Sequence, residues 1–134
     1  MLVVDTNVVA SLLLSGPFTE QATALYAHDP DWHSEAFLMI ELANVLATQT
    51  RLRDLPLTDA LALLGRGAAL MSDGLVEVSH EAALSMAAQR AVSAYDARYL
   101  VVAERLRTCL VTEDAKLRRA APELTCSLAE ALAR

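Results

Sequence analysis

A chain of 134 residues is long enough to bury a hydrophobic core and short for more than one, so residues 1–134 read as a single domain. With 54% hydrophobic and 21% charged residues it is no disordered tail, and no run approaches the roughly 18–20 unbroken apolar residues that cross a bilayer. Eleven basic against seventeen acidic residues leave a net charge of -6, the wrong sign for gripping nucleic acid by phosphate neutralisation, unless some carboxylates hold cations.

Met1 to Val4 run straight into Asp5 with no basic n-region, so neither a cleavable signal nor a membrane location is expected. Cys109 and Cys126 have no framework or ligand spacing and read as buried free thiols in a reducing cytoplasm. Ala and Leu dominate and aromatics make up 4%, which favours helix.

Leu2-Val3-Val4 is a short apolar run fit for a buried parallel strand that ends at Asp5. Val8 to Leu14 reads as a helix stopped by Ser15-Gly16-Pro17, and Thr19 caps a second one to His28. A strand around Trp32-His33 leads into a long helix from about Ala36 to Leu52. Thr58 caps a helix through Met71, which Ser72-Asp73-Gly74 ends. Leu75 to Val78 is a strand, Ser79 caps a helix to about Val92, and Asp96 opens another to Arg107. Cys109 to Thr112 is a fourth strand, Asp114 opens a short helix, and Leu124 to Cys126 precedes a C-terminal helix. Strands alternating with helices imply crossovers between parallel strands: an α/β fold, a three-layer α/β/α sandwich with a central parallel sheet of four or five strands. Ligands of such sheets collect at the carboxyl ends of the strands.

Four acids lie in telling places. Asp5 ends the first strand, and Asp114 sits just past the fourth. Asp96 shares a helix face with Tyr99, Leu100 and Ala103, three, four and seven residues on. Glu41 is the one charge in the apolar stretch from Ala36 to Ala47, where a carboxylate costs several kcal/mol, roughly, unless compensated. Each acid also has an ordinary reading. Asp5, Asp96 and Asp114 suit helix caps, and Glu41 suits an arginine partner or a solvated face. Together they suit a hard cation, Mg²⁺ or Mn²⁺, which prefers carboxylate and water oxygens. His28, His33 and His80 lack ligand spacing and read as surface or capping residues. The reaction class that follows is metal-assisted phosphodiester hydrolysis.

Asp5-Thr6-Asn7 after the opening strand, the helical Glu41, Tyr95-Asp96-Ala97-Arg98-Tyr99-Leu100 and Leu110-Val111-Thr112-Glu113-Asp114-Ala115-Lys116-Leu117 together resemble the PIN-domain ribonucleases. In particular the chain looks like the VapC-type toxins of bacterial type II toxin–antitoxin systems, over essentially its whole length. The resemblance implies that Asp5, Glu41, Asp96 and Asp114 form the catalytic, metal-holding quartet, Asp5 and Asp96 directly and Glu41 and Asp114 through waters. It makes Asn7, Thr112 and, less directly, Thr6 supporting residues. Some relatives carry a further acid where this chain has Lys116, which leaves one-metal against two-metal action open; Glu113, next to Asp114, is expected to point to solvent. The resemblance also implies endoribonuclease action on RNA, a small antitoxin partner over the acidic crevice, and a homodimer. DNA would be reached only through the antitoxin. Lys116, Arg118 and Arg119 follow the last acid and are expected to hold flanking RNA phosphates. The Ala/Leu-rich helix from Thr58 to Met71 is a candidate dimer face. Two rivals remain. One is a catalytically inactive PIN-like binding scaffold. The other is a phosphatase with a nucleophilic aspartate at the strand end, which Asn7 argues against because that chemistry wants a second Asp there.

Overall fold

An apolar triplet with two β-branched residues has no polar face for water, and Leu2–Val4 (β1) accordingly becomes the middle strand of the sheet. In the computed structural model, which describes residues 1–134, β1 is joined by β2 (Trp32–Glu35), β3 (Leu75–Val76), β4 (Leu110–Val111) and β5 (Thr125–Cys126). The order is β3-β2-β1-β4-β5 and every pairing is parallel. Eight helices complete the α/β fold: α1 (Thr6–Leu13), α2 (Thr19–His28), α3 (Phe37–Leu52), α4 (Leu57–Leu70), α5 (His80–Arg90), α6 (Ala94–Leu106), α7 (Ala115–Ala120) and α8 (Leu128–Leu132).

The strand order opens a crevice at one edge of the sheet. The chain builds outward from β1 to β2 and β3, then returns to set β4 and β5 on the other side of β1. Such a reversal opens a gap beyond the carboxyl ends of the two strands that flank it, here β1 and β4. α6 packs on β1, β2 and β4 with Ala97, Leu100, Val101, Val102 and Ala103 buried, and α5 packs on α6. α1 meets α2, α3 and α4, while α8 covers α2.

Several local expectations are corrected. Thr19 is not a cap: Phe18 precedes the helix, and the Thr19 hydroxyl accepts from Gly16 N and donates to Leu14 O, tying the turn together. Thr58 lies inside α4, whose start is set by Pro56 at φ -59° with no side-chain cap. α6 begins two residues before Asp96, because Ser93 accepts from the Asp96 N–H at 3.0 Å and does the capping. Cys109 and Cys126 are not free thiols; they form a disulfide that links β4 to β5, with Cα atoms 6.0 Å apart. A bonded pair gives no reason to place the chain in a reducing compartment. No helix is long and apolar enough to cross a membrane.

Gly74 sits where β3 begins, and its carbonyl accepts from Ser34 N at 2.9 Å. A Cβ at this position would overlap the Trp32 carbonyl oxygen and press on His33 Cα. Gly74→Ala is therefore expected to loosen the β2–β3 pairing and lower stability by about 1–3 kcal/mol, read from the urea unfolding midpoint.

Candidate active site

The parallel register sets Val4 beside Val111, so the residues that follow each strand meet across the crevice. Asp5 N donates to Val111 O at 3.3 Å, and the Thr112 hydroxyl donates to Asp5 Oδ2 at 2.5 Å. The same hydroxyl oxygen accepts from Asp114 N at 3.1 Å, so one threonine ties the Asp5 carboxylate to the backbone at Asp114. Asp5 Oδ1 accepts from Val8 N at 3.0 Å and caps α1. Asp5 therefore caps α1 through one oxygen and accepts from Thr112 with the other.

Glu41 projects from α3 and is half-buried without an arginine or lysine partner. Its Oε1 accepts from the Thr6 hydroxyl at 3.0 Å and from the Tyr99 hydroxyl, and those two hydroxyls lie 3.0 Å apart. Hydroxyls orient this carboxylate without neutralising it. Asp96, in the first turn of α6, is half-buried, and Asp114 caps α7 through Leu117 N while staying exposed. Asp5, Glu41, Asp96 and Asp114 line one cavity of about 590 Å³ together with Thr6 and Asn7, and no Lys or Arg lines it. A neighbouring hollow of about 500 Å³ shares Asn7, Val45 and Asp114 with it.

The electrostatics follow from that lining. Burial, with smaller contributions from Glu41 and Asp114, raises the Asp5 pKa from 3.8 to about 6 against the hydrogen bonds from Thr112 and Val8. Asp96 is raised by burial first and by Asp114 next, with Lys116 pulling the other way. Burial, and donation to Glu41, push the Tyr99 phenol far above its ordinary range, so it stays a proton donor. The acids share a pocket but stand apart: no three His, Cys, Asp or Glu side chains converge as a ready ligand set.

Of the basic residues expected near the acids, Lys116 and Arg119 are exposed. Arg118 instead donates to Thr112 O at 3.1 Å and to Glu113 at 3.3 Å. Glu113 does not point freely to solvent, because it also accepts from Leu128 N at 2.7 Å and holds the start of α8. His33 faces Asp31 and His80 faces Arg98, away from the cavity. Two residues escaped the sequence reading. Tyr99 counted there only as an apolar position of α6, although its place one turn after Asp96 could have flagged it. Glu35, at the carboxyl end of β2, is 2% exposed and accepts from Phe37 N and Val78 N, with Arg98 at 3.6 Å. It anchors the start of α3, the helix that carries Glu41.

A group whose pKa is raised on folding stabilises the protein below its unfolded value and loses that contribution as pH rises through the folded value. For Asp5 the window runs from about 4 to about 6. In chelator-treated protein, Asp5→Asn should therefore raise stability at pH 7.5 by about 1–3 kcal/mol and change it little at pH 4. Thermal melts at the two pH values check this; parallel shifts at both would refute it.

Comparison with known proteins bears on the same elements. The PIN domain family model matches residues 2–122. The structure is similar to that of PAE2754 from Pyrobaculum aerophilum, with TM-score 0.78, 22% identity, and coverage of 98% of this chain and 93% of that one. It is also similar to FitAcB from Neisseria gonorrhoeae, with TM-score 0.68, 19% identity, and coverage of 95% and 96%. At these identities the likeness concerns the fold. No curated protein matches the chain. The matched span runs from β1 beyond α7 and takes in all four cavity acids, and the chain belongs to the PIN domain family.

Proposed function

We propose that this protein is a divalent-metal-dependent endoribonuclease acting as the toxin of a type II toxin–antitoxin pair. PIN domains are generally nucleases. The observation that carries the reading is the convergence of Asp5, Glu41, Asp96 and Asp114, from four separate segments, on one cavity lined by no basic side chain. Crowded, partly desolvated carboxylates destabilise a fold unless something of opposite charge joins them.

The donor set fits a hard cation. Its side-chain donors are oxygens, with Asn7 able to offer another, and neither His nor Cys lines the cavity. Because the acids form no closed ligand set, they suit an ion that keeps several waters, as Mg²⁺ and Mn²⁺ do. Asp5 and Asp96 would hold it directly, Glu41 and Asp114 through water. Such an ion, when bound, supplies an activated water and charge stabilisation for an in-line phosphodiester displacement. The remaining work falls to the chain. Thr112 fixes the Asp5 carboxylate beside the Asp114 backbone, and Thr6 with Tyr99 holds one oxygen of Glu41 while the other stays without a protein partner. Lys116 and Arg119, free of ion pairs, would meet flanking phosphates, whereas Arg118 serves the fold. An antitoxin segment would lie over the cavity and the neighbouring hollow. A homodimer would use the α4 face that leaves Leu57 and Leu61 exposed.

The lack of a closed ligand set also favours a second reading, a PIN-like scaffold that binds RNA without cutting it. One assay separates the two. Purified protein incubated with total RNA and Mg²⁺ or Mn²⁺ should cleave it. Chelation should abolish cleavage, and Asp5→Asn or Asp96→Asn should reduce it at least about a hundredfold while folding is retained. RNA that is bound but never cut would support the scaffold. Cleavage indifferent to both chelator and variants would remove the metal mechanism.

Tyr99→Phe isolates the hydroxyl network. Loss of one donor to Glu41 should lower the cleavage rate by about tenfold with little change in KM, since the residue orients an acid and touches no substrate. A rise in KM alone would instead place Tyr99 in RNA binding.

A further inference from the structure

Two aromatic residues at the rim of the acidic cavity have no part in the chemistry described so far. Phe37 is the first residue of α3 and Tyr95 the second of α6, and both line the cavity. Their rings stack, with centroids 5.4 Å apart and planes 16° from parallel. Tyr95 is nevertheless 63% exposed, and Ile40, one turn along α3 from Phe37, is 64% exposed. A single exposed apolar side chain is ordinary. A planar, solvent-facing aromatic that follows the backbone into Asp96 and overlooks Asp5, Glu41 and Asp114 is a more specific arrangement.

Charge supplies the second argument. With a net charge of -6 and no Lys or Arg lining the cavity, phosphate contacts fall to Lys116 and Arg119 outside it, and the nucleotide at the acids needs another source of affinity. A nucleobase is uncharged and planar, and stacking on an aromatic ring contributes to affinity without counter-charge. We infer that Tyr95, backed by Phe37 and flanked by Ile40, is the platform on which an unpaired nucleobase stacks next to the scissile phosphodiester. This rests on the nuclease reading for its substrate. Phe37 fixes one face of the Tyr95 ring and so pre-orders it, while the other face receives the base. The platform sets which nucleotide enters beside Asp96, and it requires that nucleotide to be unstacked from its neighbours.

The test uses a single-stranded 12-nucleotide RNA carrying 2-aminopurine, whose fluorescence falls on stacking. Binding is measured in the Asp5→Asn background so that the RNA stays intact, and cleavage kinetics are measured with Asp5 in place. Tyr95→Ala should weaken binding by on the order of tenfold, abolish the quenching and raise KM with kcat within about threefold. Tyr95→Phe should behave like the parent in all three, because the ring is kept. Cleavage with unchanged KM and quenching in Tyr95→Ala would overturn the platform and leave the nuclease reading standing. RNA bound and quenched through Tyr95 but never cut would keep the platform and remove the nuclease. A chain that neither binds nor cuts RNA would overturn both, and would point to a protein segment as the occupant of this rim.

Discussion

A carboxylate withdrawn from water at the reversal point of a parallel sheet is the constraint around which this structure is arranged. Asp5 lies there because β1 is the central strand, buried on both faces, and the chain must turn immediately after it. The register of β1 with β4 then brings Thr112 and Asp114 to its side. Burial alone opposes its charge, and Glu41 and Asp114 oppose it further. A sequence selected for stability alone would place an apolar or amide residue at this spot. The acid at this position is a charge that the fold itself leaves without a basic partner in the cavity.

The partners of the acids divide them into two kinds. Glu35 and Glu113 each meet an arginine and backbone N–H groups, and each locks one helix start to its surroundings. Their charges are matched inside the fold, so they are structural. Asp5 and Glu41 are held by hydroxyls of Thr112, Thr6 and Tyr99, which fix direction and leave the negative charge standing. Arg98 and Arg118 pair with Glu35 and Glu113, and no guanidinium lines the cavity. An acidic protein can thereby hold an unpaired negative pocket beside its own cations.

Much of this was open to inspection in the order of residues. The apolar triplet ending at Asp5, the lone charge at Glu41 and the short β4 ending before Asp114 all point to one sheet edge, because strand and helix periods fix which way such side chains face. The same logic failed where a neighbour supplied what the local pattern could not reveal. The start of α6 reads as Asp96, but Ser93, three residues earlier, caps the helix, and the Asp96 carboxylate lines the cavity. Tyr99 looked apolar because its ring is buried, yet its hydroxyl reaches Glu41 from another helix.

Local order therefore determined the alternation of strands and helices, the parallel class of the sheet and the positions of the four acids along it, since these depend on side-chain periodicity and on turn residues nearby. Which strands become neighbours is decided only when the whole chain packs. Packing of the strands and of the helices on them put Cys109 against Cys126, gave Glu35 its arginine, closed the hydroxyls of Thr6 and Tyr99 around Glu41 and stacked Phe37 on Tyr95. Each of those contacts joins segments far apart in the chain, and their proximity is a property of the crossovers, which no short stretch of sequence encodes.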